Sequence, residues 1–395
     1  MRIGYFASTR YKHNSPSGGL AHIRQFLNQA TAMGHEILLY HGGNHPHPAV
    51  VNAPRGRLAR FPALRSVDYL YYRVEFRAPR DVKWVTPARR WLLGSPPVVF
   101  EFNSVPEFAR VVGEEGYGQV EQHIADLQRY APYCDLAVCV SQSISDYVRE
   151  KLGYRNVMTV PNGSDPELFT PDAPPLPRVV RHPGRLNVVW IGSAEIAWHN
   201  FELLRDTARL LWDNGNPIAD FHILGNGMQG LRDLPANVHY HGSEQYEKLP
   251  NWLTAMDIGL NIYKAGAADF SSPLKVFDYM ACGLALVSTD QPQVREIFQK
   301  LDQLDLVVPT DNAGALAETL RTLAADPMRV KRQGAASRQL AVGFYNWKRA
   351  IKDTLDAMEG LRTGNPKSEC RNPKPPAYRK SEIRMPKSET NPKFE

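Results

Sequence analysis

Short apolar runs alternate with stretches of helical period along most of this chain. RIGYFAS reads as a strand, followed by a polar loop TRYKHNSPSGG, a helix over 20–33 stopped by Gly34, and a second strand in HEILLYHGG. Strand, helix and strand in that order begin a doubly wound parallel sheet. VDYLYYRVEF and PPVVFEFNSVP read as further strands, and a helix falls near 119–131. CDLAVCVS, SISDYVREKLG and NVMTVPNGSDPELF then supply strand, helix and strand. After the proline-dense TPDAPPLPRVVRHPGR the alternation restarts with the strand RLNVVWIGS, the helix FELLRDTARLLWDNG and the strand DFHILGNG. NVHYHGS, DIGLNIY, LALVST and DLVVP read as strands, with helices at LPNWLTAM, VREIFQ and AGALAETLRTLAAD, and a last helix near 347–361.

The pattern predicts an α/β protein of two Rossmann-like, doubly wound domains facing each other across a cleft. The first covers 1–175, a linker 176–185, the second 186–345, a C-terminal helix 346–363 and a tail 364–395. A proline-dense stretch between two complete alternating series is where a domain boundary belongs. Two domains also suit 395 residues. The tail repeats its units (NPKSE, then MPKSE), is rich in proline and charge and poor in aliphatics, so it reads as disordered.

Charge and composition narrow the field. The net charge is +6, but the tail holds eight Lys/Arg against four Asp/Glu, which leaves +2 for everything before it. That is not the footprint of a nucleic-acid binder. Basic residues with tryptophans crowd 55–91 (Arg55, Arg57, Arg60, Arg65, then Arg77 to Trp91), a pattern that fits either a solvated face or a peripheral contact with an anionic membrane. Cys134, Cys139, Cys282 and Cys370 form no C-x-x-C pair and suit free thiols in a reducing compartment. MRIGYFAS carries no long apolar stretch of the kind a signal peptide needs, and no run spans a bilayer. The location expected is cytoplasmic, at the inner face of the membrane if the basic stretch docks there.

The candidate chemistry centres on DFSSPLKVFDYMACG, residues 269–283. Ser271 and Ser272 suit a helix N-cap, Pro273 the first helical position, and Gly283 the stop. The N-terminus of such a helix offers free N–H groups to a phosphate, and Lys275 adds a cation there. Asp278, one turn on, is placed to take ribose hydroxyls. The same residues also suit a capped amphipathic helix with a surface Lys–Asp pair. Gly18-Gly19, before the first helix, lets bare backbone approach an anion. Arg73, Glu101, Asn103 and Glu107 lie near or beyond strand ends, where open α/β sheets bind ligands.

Several motifs in order resemble the retaining glycosyltransferases of the GT-B fold, family 4 (glycosyl transferases group 1). Gly18-Gly19 is similar to that family's glycine-rich loop. CDLAVCVSQSISDYVRE with VPNGSDPELF is similar to its D-x5-S…P-N-G-x-D segment. VVWIGSAEIAWHNFELL, FHILGNG and SSPLKVFDYMACGLALVST are similar to its second-domain loop, G-x-G turn and nucleotide-binding helix. The likeness covers about 1–360. It implies retaining, metal-independent hexosyl transfer from a nucleotide-sugar donor to a hydroxyl acceptor that the sequence does not name, with no metal or cofactor. It also implies a site: Lys275, Asn103 and Asp269 for catalysis; Gly18, Gly19, Gly192, His199, Gly225, Gly242, Ser271, Ser272, Pro273, Leu274, Lys275 and Asp278 for the donor; Arg73, Glu101 and Glu107 toward the acceptor.

The chain departs from the family pattern at named positions. Phe270 stands eight residues before Asp278, where the family has a Glu, with Asp269 beside it. Asp278 replaces a Glu, His199 stands nearest the usual Lys, the usual Arg is absent, and Asn103 sits where a His is common. These gaps leave a second reading open, a non-catalytic protein of this fold that binds a nucleotide or glycan or supports a partner. A dinucleotide-dependent oxidoreductase is set aside, since neither Gly18-Gly19 nor Gly225-Asn226-Gly227 completes G-x-G-x-x-G.

Overall fold

A computed structural model of the chain describes residues 1–363, apart from 8–10, 13–17, 55, 94–95, 113–118, 177–178, 197, 214–215 and 228–232. The tail read as disordered lies outside these residues, and so does Cys370.

Two parallel sheets carry the molecule. The first has the order β3-β2-β1-β4-β5-β6-β7. Its strands are β1 (Arg2–Phe6), β2 (Glu36–Tyr40), β3 (Val50–Asn52), β4 (Tyr69–Val74), β5 (Val98–Phe102), β6 (Leu136–Cys139) and β7 (Val157–Thr159). The second has the order β12-β11-β8-β13-β14-β15. It consists of β8 (Leu186–Ile191), β11 (Ala219–Leu224), β12 (Val238–Tyr240), β13 (Ile258–Asn261), β14 (Ala285–Thr289) and β15 (Val307–Val308). A two-residue antiparallel pair, β9 (Trp212–Asp213) with β10 (Asn216–Pro217), stands apart. In both large sheets the chain runs out from a central strand to one edge and returns to the other side, so the strand order reverses between β1 and β4 and again between β8 and β13. Ligands of such sheets bind outside the carboxyl ends at that reversal.

Burial on both faces explains the strand composition. VVFEF, LAVC and ALVST are wholly buried, as central strands of a helix-covered parallel sheet must be. One face of the first sheet packs under Phe6, Tyr72 and Phe100, and the other under Tyr5, Phe26 and Tyr71. The C-terminal helix, Trp347–Thr363, belongs to that second face. Ala350, Ile351, Leu355 and Met358 join its core, and Arg362 bonds Asp68 at 2.7 Å. The chain therefore leaves the second domain and closes back onto the first.

Several elements depart from the sequence reading, and the helix expected over FELLRDTARLLWDNG stops at Leu210, its Trp212 and Asp213 pairing as a strand. β3 is a short edge strand, two of its three residues exposed, with no apolar alternation to mark it. The basic region folds as the helices Arg57–Arg65 and Pro87–Leu93 with a 3-10 turn Arg80–Val85 between. A 17-residue helix, Pro327–Gly343, precedes the last one; Asp326 caps it by accepting from the Arg329 N–H at 2.8 Å.

Candidate functional site

Between the two sheets, at their carboxyl ends, lies a cavity of about 770 Å³. Its first-domain wall includes Gly19, His22, Arg73 and Asn103, following β1, β4 and β5. Its second-domain wall includes Gly192, His199 and Gly225 and the segment Ser271–Lys275 with Asp278. The floor on that side is backbone on backbone. A Cβ at Gly225 would fall 1.7 Å from the Gly192 carbonyl oxygen, so only glycine lets the loops after β8 and β11 meet.

The helix after β13 starts later than its sequence suggests. It runs Leu274–Ala281, with Pro273 as N-cap in extended backbone (φ −71°, ψ 106°) and no side-chain cap. Neither serine caps it: Ser271 donates to the Ala268 carbonyl at 2.9 Å, and Ser272 Oγ is buried. The reason lies in Pro273, which disfavours helical backbone in the residue before it. The N–H groups offered to a ligand are thus those at Leu274 and Lys275 rather than at the serines.

Lys275 projects into the cavity in an unusual state. Its Nζ is buried, has no hydrogen-bond partner among the described residues, and rests over the Tyr263 ring at 4.8 Å. Burial pulls its pKa down to about 7. Asp278 is also buried, and burial raises its pKa to about 7. It is not a surface partner of Lys275. Its Oδ1 accepts from Ser164, 2.6 Å away on the segment leaving the first domain, and from Tyr246 at 3.4 Å. His199 sits beside Lys275 as a neutral imidazole: burial first, then the lysine charge, lowers its pKa to about 3. A neutral ring at this point supplies no charge to a ligand.

The first-domain wall is a closed polar network. Arg73 bonds Glu101 at 2.8 Å, and Tyr71 and Asn103 donate to the same carboxylate at 2.7 and 2.5 Å. His22 stacks on Trp347 at 4.9 Å and accepts from the Arg73 guanidinium through Nδ1. Burial, then the arginine charge, brings His22 down to about 4, so it is neutral. Burial alone would raise Glu101, but Arg73 and the donated hydrogen bonds hold it ionised.

The remaining expected residues lie elsewhere. Gly18 opens the first helix one step behind Gly19. Glu101 sits behind the wall, bonding Arg73 from β5 rather than facing the cavity. Glu107 pairs with Lys151, away from the cavity. Gly242 lies two residues past β12, where its carbonyl accepts from the Gly225 N–H at 2.9 Å. Asp269 accepts the Ser143 hydroxyl through its carbonyl at 2.7 Å, and its carboxylate lies beside Gly266. Phe270 sets its ring edge-on to Tyr147 at 5.4 Å, so no carboxylate enters the cavity from that segment. His22, Asn162, Ser164, Tyr246 and Tyr263 were not foreseen. His22 lies one turn into the helix that Gly18 opens, and Asn162 and Ser164 belong to VPNGSDPELF, so the sequence held a signal for those three. Tyr263 ends DIGLNIY, at the carboxyl end of a strand, whereas Tyr246 opens a 3-10 turn that the sequence does not mark.

Comparison with known proteins bears on the fold. Residues 185–326 match the family model Glycosyl transferases group 1. Solved structures of similar shape include sucrose-phosphate synthase from Thermosynechococcus elongatus (TM-score 0.63, 14% identity, covering 92% of this chain and 99% of that one). Anabaena HepE in complex with UDP gives TM-score 0.65 at 13% identity over 91% and 100% of the two chains. WaaG, a glycosyltransferase involved in lipopolysaccharide biosynthesis, gives 0.62 at 12% identity over 91% and 100%. The fold is GT-B. Among curated proteins, one from Bacillus subtilis (strain 168), named as the teichuronic acid biosynthesis glycosyltransferase TuaH, is 26% identical over 219 residues, 52% of this chain. The match spans about half (50%) of that relative's length. In this GT-B chain, the family match falls on the domain that carries Lys275 and Asp278. No helix among the described residues is long and apolar enough to cross a membrane, and no cluster there is set to hold a metal ion.

Proposed function

We propose that this chain is a glycosyltransferase that moves a hexosyl group from a nucleoside-diphosphate sugar to a hydroxyl acceptor, with retention and without a metal ion. One observation carries the reading. Lys275 places a buried, unpaired ammonium in the first turn of a helix, inside a cavity between two domains. Burial, lack of a partner and the positive end of the helix dipole all oppose that charge. A bound diphosphate relieves all three at once.

The residues present fit such a donor. The diphosphate takes the Leu274 and Lys275 N–H groups and the Lys275 ammonium, and approaches Gly19 across the cleft. The Asp278 oxygen not engaged by Ser164 accepts ribose hydroxyls. As the glycosidic bond breaks, charge grows on the departing diphosphate, and donors fixed in advance at that charge lower the barrier most. The resident ammonium fills the role a divalent ion plays elsewhere. Asn103 and Arg73, on the opposite wall, are placed toward the acceptor. Asp269, expected to be catalytic, faces away and is left without a role.

Incubation with UDP-, GDP- and ADP-sugars, followed by assay of released nucleotide, tests the proposal. Lys275→Ala should cost at least about 100-fold in rate while the fold is kept, the scale of losing one transition-state donor. An unchanged rate would place the diphosphate elsewhere. A second reading is favoured by Phe270, whose ring faces Tyr147 where the family has a donor-sugar carboxylate. On that reading the chain binds a nucleotide or glycan without turning it over. Nucleotide binding with no release from any donor would support it.

A further inference from the structure

We infer that the basic face of the first domain is a docking surface for an anionic lipid bilayer. Residues 55–92 hold ten Lys/Arg and three Asp/Glu, a net +7 in a chain whose total is +6. The rest of the protein, tail included, is therefore slightly acidic.

The structure shows where the described part of that charge goes, and Arg73, in the cavity wall, is not part of this face. The strap from β4 to β5 crosses one face of the first sheet. Asp81 meets His41, just past the carboxyl end of β2, at 2.7 Å, and Arg90 meets Asp135, just before β6, at 3.1 Å. Val82, Trp84 and Val85 plug it into the core. The acidic members face inward or sideways: Asp81 bonds His41, Asp68 bonds Arg362, and Glu75 lies 3.9 Å from Arg73. Arg65, Arg77 and Lys83 are exposed, Arg89 lies over the Trp84 ring at 4.6 Å, and no carboxylate pairs with these four among the described residues. Beside them the helix Pro87–Leu93 exposes Trp91 (78%) and Leu92 (48%). Unpaired cations next to an exposed tryptophan and leucine match a surface with negative headgroups above and acyl chains below. A nucleic acid or a soluble acidic polymer would answer the cations and leave the apolar pair unused.

The full chain is mixed with vesicles of phosphatidylcholine, with and without phosphatidylglycerol, and sedimented. It should bind only the anionic vesicles, less as salt rises, and its tryptophan emission should shift to the blue. Arg77→Glu with Lys83→Glu should weaken binding about fivefold or more per residue. Trp91→Ser should weaken it several-fold and abolish the blue shift. Nucleotide affinity in all variants should match the parent, which separates loss of docking from loss of fold. Equal binding to neutral vesicles, or no binding to either, overturns the inference. Binding that survives in these variants would belong to the tail and overturn it too. Capture by dextran sulfate but not by vesicles would give the face to an acidic polymer instead.

Discussion

Lys275 and Asp278 are one turn apart on one helix, and both are held in their less comfortable protonation range. Burial lowers the lysine from 10.5 to about 7 and raises the aspartate from 3.8 to about 7. Their effects on stability have opposite signs. Between about pH 7 and 10.5 the unfolded chain keeps the Lys275 proton and the folded chain does not, so folding stability rises with pH there. The slope is about 1.4 kcal/mol per pH unit at most. Between about pH 4 and 7 the folded chain holds the Asp278 proton and the unfolded chain does not, so stability falls as pH rises through that window. Lys275→Met should therefore be more stable than the parent near pH 7, by on the order of 2 kcal/mol, and should lose the upward slope above it. Urea unfolding at pH 7.5 and 9 checks this; parallel shifts of parent and variant would show that the ammonium is solvated. A site of this kind trades folding stability for a ligand it expects. Asp278→Ala should spare the fold and lower nucleotide affinity at least tenfold, the scale of a lost hydrogen bond to a charged group. Unaltered affinity in calorimetry would remove Asp278 from the ribose site.

At the scale of elements, the helix Pro327–Gly343 fixes the back of the helix that carries Lys275. Its Gly334 lies against the turn at Gly283, and a Cβ there would fall 2.1 Å from the Gly283 carbonyl oxygen. Gly334→Ala gains helix propensity of about 1 kcal/mol and must then push the two backbones apart. Overpacking of this kind costs about 1–3 kcal/mol, so the net change should be a loss, seen as a lower urea midpoint with the slope kept. A rise in the midpoint would mean that the contact yields freely. The same helix shows what the sequence did not reveal. RQGAASRQ at its centre has a glycine, small residues and weak apolar contrast, so its period is faint, and only the contact with Gly283 explains why Gly334 is there. The strands were legible because burial on two faces forces runs such as VVFEF and ALVST. The cavity helix was legible in position, but its start was not, since Pro273 competes with the serines for the cap. Glu107 departs for a related reason: beyond a strand end a side chain can turn toward the cleft or away from it, and Lys151, distant in sequence, makes that choice. Asp269 was expected to be catalytic only through the resemblance, and its carboxylate lies beside Gly266 instead.

For the molecule as a whole, the two domains meet along a seam that runs through the site itself. Gln293 of the second domain donates to the Val140 carbonyl of the first at 2.8 Å, and Arg24 reaches Glu247 across the cleft at 3.3 Å. The Arg24–Glu247 contact has one largely exposed partner, so its worth is at most about 1 kcal/mol. The Ser164–Asp278 bond is different: it is buried, 2.6 Å long, and ends on a carboxylate. It joins the segment leaving the first domain to the helix that carries Lys275. Ser164→Ala should cost about 1.5–3 kcal/mol of stability where Asp278 is ionised. The hydroxyl also favours the ionised carboxylate, so its removal should push the Asp278 pKa up from about 7. At pH 7 the variant's Asp278 is then mostly protonated and a poorer acceptor for ribose hydroxyls, whereas by pH 9 it is ionised again. Nucleotide affinity measured by calorimetry should accordingly fall several-fold at pH 7 and recover most of that loss at pH 9. A deficit of equal size at both values would make Ser164 a hinge pin only, acting on how the domains sit and not on the charge of the carboxylate between them.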